Sequence, residues 1–270
     1  MGRGRLRGGG RMPGIAPRAA QNRGPGTPAF ADGPACGDKG TALFRNSDAA
    51  RPEKIAGTEP RRFARLRKNP YLRPKTESDM NTDLRFIPFR STADKGWEQA
   101  WAIYQESFPP CEKRSLDNYV RAFDDPAFAA EGIWLGDRLA GIFFRWRDEG
   151  FHYLEHLAVS PAMRGHNIGS EALAAFCRSV AEPVVLEIEP PVEEIAIRRL
   201  HFYRRLGFVE NPCRYIHPSY EEPFAPHPLV LMSYPAPFTT EQLRRTADFV
   251  RERVLRYSGH KSLTEPRLEE

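Results

Sequence analysis

The chain has 270 residues, of which 40% are hydrophobic, and a formal net charge of +5. That length allows one large domain or two small ones, and no apolar run approaches the length of a membrane-spanning helix. Residues 1–79 hold 17 Lys and Arg against 7 Asp and Glu, so the rest of the chain is acidic. The basic balance is therefore no evidence that the folded part binds nucleic acid.

Residues 1–79 are rich in Arg, Gly, Pro and Ala and have almost no periodic apolar positions. Such a segment cannot bury enough surface to offset its ordering entropy, so we predict a disordered basic extension. An arm that contacts RNA or DNA and an organelle transit segment are alternatives, but interleaved aromatics and an amphipathic helix are both missing. We favour a solvated extension upstream of a natural start at Met80.

From Met80 onward the sequence alternates strand-like and helix-like runs. A strand (84–89), two helices (96–108 and 115–123) and an antiparallel meander of three strands (131–159) come first. Ser115 is the predicted N-cap of the second helix. A helix (168–181), a strand (183–189) and a second helix (193–207) follow. The chain then has a strand from 208, a strand over 229–234 and a closing helix over about 240–255. Gly207 is the predicted C-cap glycine of the helix before it.

This order of elements predicts an α+β fold with one mixed sheet and helices on its faces. We place the domain at 80–238 and a C-terminal helix and tail at 239–270. The four cysteines lack metal-ligand spacing, so we predict no metal. Without a signal peptide or a membrane span, the expected location is the cytoplasm.

The stretch "AVSPAMRGHNIG" joins a predicted strand to a predicted helix through a turn. Arg164, Gly165 and Gly169 lie where the helix should begin. A helix start exposes backbone N–H groups and the positive end of the helix dipole, and glycine lets an anion approach them closely. The stretch therefore predicts an anion site, although an ordinary tight turn would also explain a glycine-rich connection.

This turn resembles the signature of the GNAT superfamily of acyl-CoA-dependent N-acyltransferases, usually "RGxGIG" after "V-x-P". Arg164, Gly165, Ile168 and Gly169 match it. Asn167 stands where the middle glycine is expected, and asparagine is the next most permissive residue for unusual backbone angles.

A second stretch, "RRLHFYRRLGFVE", resembles the downstream helix of the same superfamily. Phe202, Tyr203, Gly207 and Phe208 fit its pattern. At the positions of the usual Asn and Ala, this chain has other residues, Ala196 and Arg199. Two motifs in the right order, joined by a predicted helix and strand, are much more specific than a glycine-rich turn alone.

The resemblance implies the GNAT fold, with an antiparallel N-terminal meander, splayed parallel strands and helices on both faces. It also implies acetyl-CoA as co-substrate, with its pyrophosphate held by the amides of the turn and its pantetheine arm along the preceding strand. The implied coenzyme-binding residues are Leu157, Ala158, Val159, Arg164, Gly165, His166, Asn167, Ile168, Gly169 and Ser170.

The implied activity is direct acetyl transfer to a primary amine in a ternary complex. Tyr203 is the expected general acid for the departing sulfur, and the oxyanion-stabilising N–H is expected near Leu157. We choose Glu155 as base, with His156 or water as the alternatives. Strand alternation directs Glu155 and His156 to opposite faces, but relatives carry a β-bulge here that changes the phase. A purely structural Glu155 would pair with an arginine such as Arg145.

The acceptor site is expected to be shaped by two proline-rich segments, 106–114 at the first helices and 214–229 in the loop before the last strand. Glu106, Phe108, Glu187 and Glu189 are the candidate residues, and their acidity favours a cationic amine on a small molecule or peptide. Transfer of a longer acyl chain, or a non-catalytic acyl-CoA-binding domain, are the alternative functions. We expect a monomer or homodimer without a membrane partner.

Overall fold

A computed structural model describes residues 84–220, 222–260 and 265–269, so the predicted basic extension lies outside the described residues. Its helices are α1 (Trp97–Ser107), α2 (Leu116–Ala122), α3 (Ile168–Ser179), α4 (Glu194–Arg205) and α5 (Thr240–Phe249). Its strands are β1 (Leu84–Phe89), β2 (Phe128–Leu135), β3 (Arg138–Arg147), β4 (His152–Val159), β5 (Val184–Ile188), β6 (Val209–Glu210), β7 (Arg214–Pro218), β8 (Pro226–Tyr234) and β9 (Arg267–Glu269).

The described strands form one mixed sheet in the order β1-β2-β3-β4-β5-β8-β7-β9, with β6 also paired to β8. Strands β1 to β4 are antiparallel neighbours, so the predicted meander is confirmed. Among the described strands, β4 and β5 are the parallel pair, and the strand pairs on either side of them are antiparallel. The predicted α+β class is also confirmed.

Helices cover both faces of the sheet. On one face, α3 and α4 bury Leu173, Phe176 and Leu200 against apolar residues of the sheet. On the other face, α1 and α2 bury aromatic residues such as Tyr104 and Tyr119, and α5 packs farther along. This two-sided cover follows from the helical spacing of apolar residues, which gives each helix one buried stripe.

Two predicted helix boundaries are confirmed by their local geometry. The Ser115 hydroxyl accepts a hydrogen bond from the Asn118 amide, as an N-cap of α2 should. Gly207 follows α4 with a φ of 94°, a left-handed conformation that glycine adopts without steric cost. Both boundaries depend on local chemistry, which makes them readable from sequence.

The C-terminal half contains strands that were not predicted from the sequence. The segment 214–229 was predicted as a proline-rich loop, but it forms β7 and the first part of β8. The prolines of β8, Pro226 and Pro228, alternate with other residues, whose N–H groups stay available for pairing with β7. Strand β9 then pairs with β7. Helix α5 ends at Phe249, but the chain continues in π-helical turns over Val250–Val254 and a 3-10 turn over Leu255–Tyr257, so the predicted closing helix to about Leu255 is confirmed.

The parallel strands β4 and β5 separate after a short paired stretch. They are in register at three positions, the last of which joins Leu154 to Leu186. Beyond this point β4 continues to Val159, and β3 is its one partner among the described strands. The predicted splay is therefore present, and no other strand of the described part of the chain pairs with this edge of β4.

A β-bulge lies at the start of this unpaired stretch. Phe144 of β3 faces His156, while the next residue, Arg145, faces Leu154. Glu155 is therefore the extra residue of the bulge. The family resemblance implied such a bulge, and the bulge changes the strand phase so that Glu155 and His156 both line one cavity.

No helix in the described ranges is long and apolar enough to cross a membrane.

Candidate active site

The turn before α3 has the backbone of an anion-binding helix start. Gly165 has a φ of 82° and Asn167 a φ of 58°, so both are left-handed. A Cβ on Gly165 would meet nothing within 4 Å, so this position requires glycine for its φ and not for space. Helix α3 begins at Ile168, and its first turn has no side-chain cap at Asn167. The N–H groups of that turn have no intrahelical acceptor and suit an anion.

Arg164 connects this turn to the end of β4. Its Nε donates a hydrogen bond to the carbonyl oxygen of Val159 at 3.2 Å. The guanidinium group is therefore held at the junction of the unpaired strand edge and the helix start. A positive side chain here adds to the potential of the helix N-terminus.

Replacing Asn167 with glycine should preserve this turn, because the residue already has the left-handed backbone that glycine adopts freely. We expect Asn167→Gly to change the Kd for coenzyme A less than about threefold, below 1 kcal/mol. Asn167→Val should weaken binding much more, since a β-branched residue strongly disfavours positive φ. Isothermal titration calorimetry of both variants checks this, and equal affinities would contradict it.

A cavity of about 70 Å³ lies where β4 and β5 separate, and we call it the splay cavity. β4 contributes Glu155 and His156, and β5 contributes Glu187, with Glu189 just after it. Its other walls come from the α1–α2 connection, α4, β7, the segment after β7, and β8, and they include Glu112, Arg199, His217, Tyr220 and His227. The cavity therefore combines several carboxylates with imidazoles at a break in the sheet.

Glu155 lies in this wall but both of its oxygens are engaged. Its Oε1 lies 2.6 Å from Nη2 of Arg114 and accepts a hydrogen bond from the Tyr220 hydroxyl at 2.7 Å. Its Oε2 accepts from Nε1 of Trp146 at 2.7 Å. Burial by itself would raise the pKa of Glu155, but the Arg114 charge and these donors hold it below its ordinary value. Such a carboxylate is a poor proton acceptor at neutral pH.

Glu155 pairs with an arginine other than the expected Arg145. Nε of Arg145 donates to Oε2 of Glu131 at 2.9 Å, across the β2–β3 pair. The bulge removes Arg145 from the position opposite Glu155. The buried partner is Arg114, which comes from the connection between α1 and α2.

His156 is also engaged at both ring nitrogens. Nε2 lies 3.0 Å from the carbonyl oxygen of Glu112, and Nδ1 lies 3.1 Å from the Tyr119 hydroxyl. A carbonyl only accepts, so in the neutral ring Nε2 carries the proton and Nδ1 accepts from Tyr119. Burial lowers the pKa of His156 and keeps it neutral. Phe108 packs edge-on against this ring, with 4.6 Å between centroids.

The four cavity carboxylates differ in how they are compensated. Glu155 pairs with Arg114, and Oε2 of Glu189 accepts from Nη1 of Arg199 at 3.1 Å. Burial outweighs two opposing effects: the charge of Arg199 lowers the pKa of Glu112, and a hydrogen bond from the Tyr215 hydroxyl lowers that of Glu187. Burial raises the pKa of both these carboxyls to about 7.

Carboxyls whose pKa is raised by burial are stabilised in their charged form by a cation from outside, and the preference for a cationic amine stays a prediction. Glu106, the third acidic candidate, is exposed on α1 and is not part of the wall. Glu112 was missed because its segment, "FPPCEKR", gives no sign of which of its charges turns inward.

Tyr203 projects from α4 into the core, is 7% exposed and is not among the residues that line the splay cavity. Its ring packs edge-on against Phe202 and Phe208, with centroids 5.1 Å and 5.7 Å away. Burial raises the pKa of Tyr203 to about 12, while Arg199 lowers it and Glu112 raises it. The hydroxyl is therefore protonated at neutral pH and lies within the electrostatic reach of two cavity residues.

Comparisons with known proteins agree on one family. A family model described as the acetyltransferase (GNAT) family matches residues 96–208. A solved structure from Bacteroides thetaiotaomicron, described as a GNAT-family acetyltransferase, is 31% identical and has a TM-score of 0.60. The match covers 63% of this chain and 97% of that chain. Among curated proteins, none matches in sequence.

Two further solved structures are similar at lower identity. The ribosomal-protein-S18-alanine N-acetyltransferase from Escherichia coli is 15% identical, with a TM-score of 0.42 and coverage of 58% of this chain and 97% of its own. A GNAT family acetyltransferase from Elizabethkingia anophelis with acetyl-CoA bound is 12% identical, with a TM-score of 0.40 and coverage of 56% and 97%.

Proposed function

The chain belongs to the GNAT family of acetyltransferases, and on that premise we propose that it transfers an acetyl group from acetyl-CoA to a primary amine. The observation that carries the proposal is the unpaired edge of β4. This edge leads from the helix start at Ile168 to the splay cavity beyond Leu154. A long co-substrate can lie along such an edge with its anionic end at the helix and its reactive end at the cavity.

The coenzyme end of the site is proposed to use main-chain groups. The first-turn amides of α3 bind the pyrophosphate, with the left-handed Gly165 and Asn167 shaping the turn. The edge of β4 from Leu157 to Val159 bonds to the pantetheine arm. The residues of the turn that take part are those predicted from sequence, 164 to 170. Arg164 adds charge at the same place.

The chemistry requires a polarised carbonyl and a protonated leaving sulfur. We propose that a backbone N–H near Leu157 stabilises the negative charge that develops on the acyl oxygen. Tyr203 donates its proton to the departing thiolate, for which its protonated state at neutral pH is suited. The nitrogen–carbon bond forms as the carbon–sulfur bond breaks.

Glu155 and His156, the bases considered from sequence, receive a different role in this proposal. Their side chains are fully hydrogen-bonded, Glu155 to Arg114 and His156 to Tyr119 and Glu112. A group held by that many partners is a poor proton acceptor, so we assign both to fixing the bulge and the cavity wall. The acceptor is proposed to be a cationic amine of a small molecule or peptide, drawn by Glu112 and Glu187.

The proposal is tested by calorimetry with coenzyme A and by acetyl-CoA turnover with a panel of amines. Wild-type protein should bind coenzyme A and release thiol only when an amine is present. Arg164→Ala should weaken coenzyme binding about tenfold or more, because charge-assisted hydrogen bonds are the strong ones. Arg178→Ala, at the other end of α3, is the matched control and should leave Kd unchanged.

Three outcomes would revise this function. Absence of binding heat with coenzyme A would remove the acyltransferase proposal. Binding without turnover for any amine would favour a non-catalytic acyl-CoA-binding domain. Higher turnover with longer acyl chains than with acetyl-CoA would favour the longer-chain alternative.

A further inference from the structure

His217 on β7 has a ring nitrogen that faces the splay cavity without a donor. The residue is 3% exposed, and its Nδ1 lies 2.6 Å from the carbonyl oxygen of Pro218. Because a carbonyl only accepts, Nδ1 must carry the ring proton, and the neutral ring then has a bare lone pair on Nε2. Burial lowers the pKa of His217 to about 4, so the ring is neutral at physiological pH.

The Nε2 atom of His217 is buried and has no hydrogen-bond partner among the described residues. It faces Oε2 of Glu187 at 3.9 Å. When Glu187 is ionised, these two acceptors cannot bond to each other, and a buried acceptor without a donor is costly. A group with several N–H donors, placed between them, would satisfy both atoms.

The carboxyl of Glu187 interacts with the hydroxyls of Tyr215 and Tyr153, and its Oε2 lies toward His217. The Oε1 atom of Glu187 accepts a hydrogen bond from the Tyr215 hydroxyl at 2.6 Å, which fixes the carboxyl group on β5. A nitrogen atom about 2.9 Å from each acceptor, the ordinary hydrogen-bond distance, fits between atoms 3.9 Å apart.

We propose that Glu187 and His217 form a clamp that binds the acceptor ammonium group and takes its proton, an inference that rests on the proposed function. One N–H bonds to Oε2 of Glu187 and another to Nε2 of His217. The ammonium proton moves to the Glu187 carboxylate and leaves a neutral amine held by His217. The neutral nitrogen then attacks the acyl carbon.

The protons of this step balance. When the nitrogen–carbon bond forms and the carbon–sulfur bond breaks, the nitrogen loses a second proton and the thiolate gains one from Tyr203. Tyr203 recovers that second proton, and Glu187 releases the first to solvent. One proton is released for each amide formed from an ammonium ion.

The surroundings of the clamp restrict the acceptor. A carboxylate next to the amino nitrogen would lie near Glu187 and Glu112 and be repelled, whereas the charge of Glu189 is offset by Arg199 in the same wall. Ile188 and Leu229 provide apolar wall for methylene groups. The preferred acceptor is therefore a primary amine on an aliphatic carbon without an adjacent carboxylate.

The clamp is tested on wild-type protein with ¹⁵N-labelled histidine, observed by NMR at neutral pH. The His217 ring should show a protonated Nδ1 and a bare Nε2. Propylamine should shift the Nε2 resonance in a saturable way, while its neutral isostere 1-propanol should not. A protonated Nε2, or a resonance that propylamine leaves unchanged, would overturn the clamp whether or not coenzyme A binds.

Variants separate the clamp from the coenzyme site. Glu187→Gln places an amide donor toward Nε2 of His217 and should close the clamp, lowering kcat/KM for propylamine by about tenfold to a hundredfold. His217→Ala should act similarly. The Kd for coenzyme A should stay unchanged in both.

His152→Gln is the matched control, because His152 is buried on β4 away from the cavity. Its kcat/KM for propylamine should stay near that of wild type. A loss in this control equal to that in His217→Ala would overturn a specific role of His217. If the wild-type protein did not bind coenzyme A, the proposed function itself would be wrong.

Discussion

Tyr203→Phe should lower kcat for amine acetylation by about 10²- to 10⁴-fold, the range for removal of a general acid. The ring of Tyr203 packs against Phe202 and Phe208, and a phenylalanine keeps those contacts. The Kd for coenzyme A should therefore change little. Stopped-flow or steady-state measurement of thiol release, together with calorimetry, separates the two effects.

Tyr234→Phe is a matched control for this experiment. Tyr234 is a half-buried tyrosine on β8 whose ring lies 5.5 Å from Phe208, in the same aromatic cluster as Tyr203. Tyr234→Phe shows whether removing a different tyrosine hydroxyl from the same cluster also slows turnover. An unchanged kcat in Tyr203→Phe would remove the residue from the mechanism, and equal losses in both variants would indicate a packing effect.

The turn before α3 could be predicted because its information is local. The positive φ of Gly165 and Asn167 is a property of those residue types, and the helix that follows has regular apolar spacing. The splay and the bulge at Glu155 were reached from a family resemblance. Nothing in the spacing of "YLEHLAV" would have indicated either one.

The partner of Glu155 could not be predicted, because it depends on a long-range contact. Arg145 was the natural choice as a neighbour in the meander, but the bulge moves it opposite Leu154. Arg114 lies in a connection between helices, and only the packed structure brings it under β4. His217 was hidden for a similar reason, since the prolines around it predicted a loop where β7 forms.

The Glu155–Arg114 pair gives the second large prediction. Arg114 is 2% exposed, and its guanidinium lies 5.1 Å from the Trp146 ring and 5.5 Å from the Tyr220 ring. Arg114→Met leaves the Glu155 carboxylate buried without its cation, so the free energy of unfolding at pH 7 should fall by about 3–5 kcal/mol. Urea denaturation measures this change in the free energy of unfolding. Arg147→Met, which breaks an exposed pair with Glu182, is the control and should cost far less.

The pH dependence of Arg114→Met identifies the cause of its instability. In wild type the pKa of Glu155 is depressed, so its contribution is full above the unfolded pKa and is lost as pH falls through the folded value. Without Arg114, burial raises the folded-state pKa of Glu155. The cost of burying the ionised carboxylate then grows as the pH rises above the unfolded pKa. The gap in unfolding free energy between Arg114→Met and wild type should therefore narrow from pH 7 toward pH 4.

Adding Glu155→Gln to Arg114→Met should recover part of the lost unfolding free energy at pH 7. A gap that is independent of pH and unrelieved by the second substitution would mean that lost packing, rather than an unpaired charge, causes the instability.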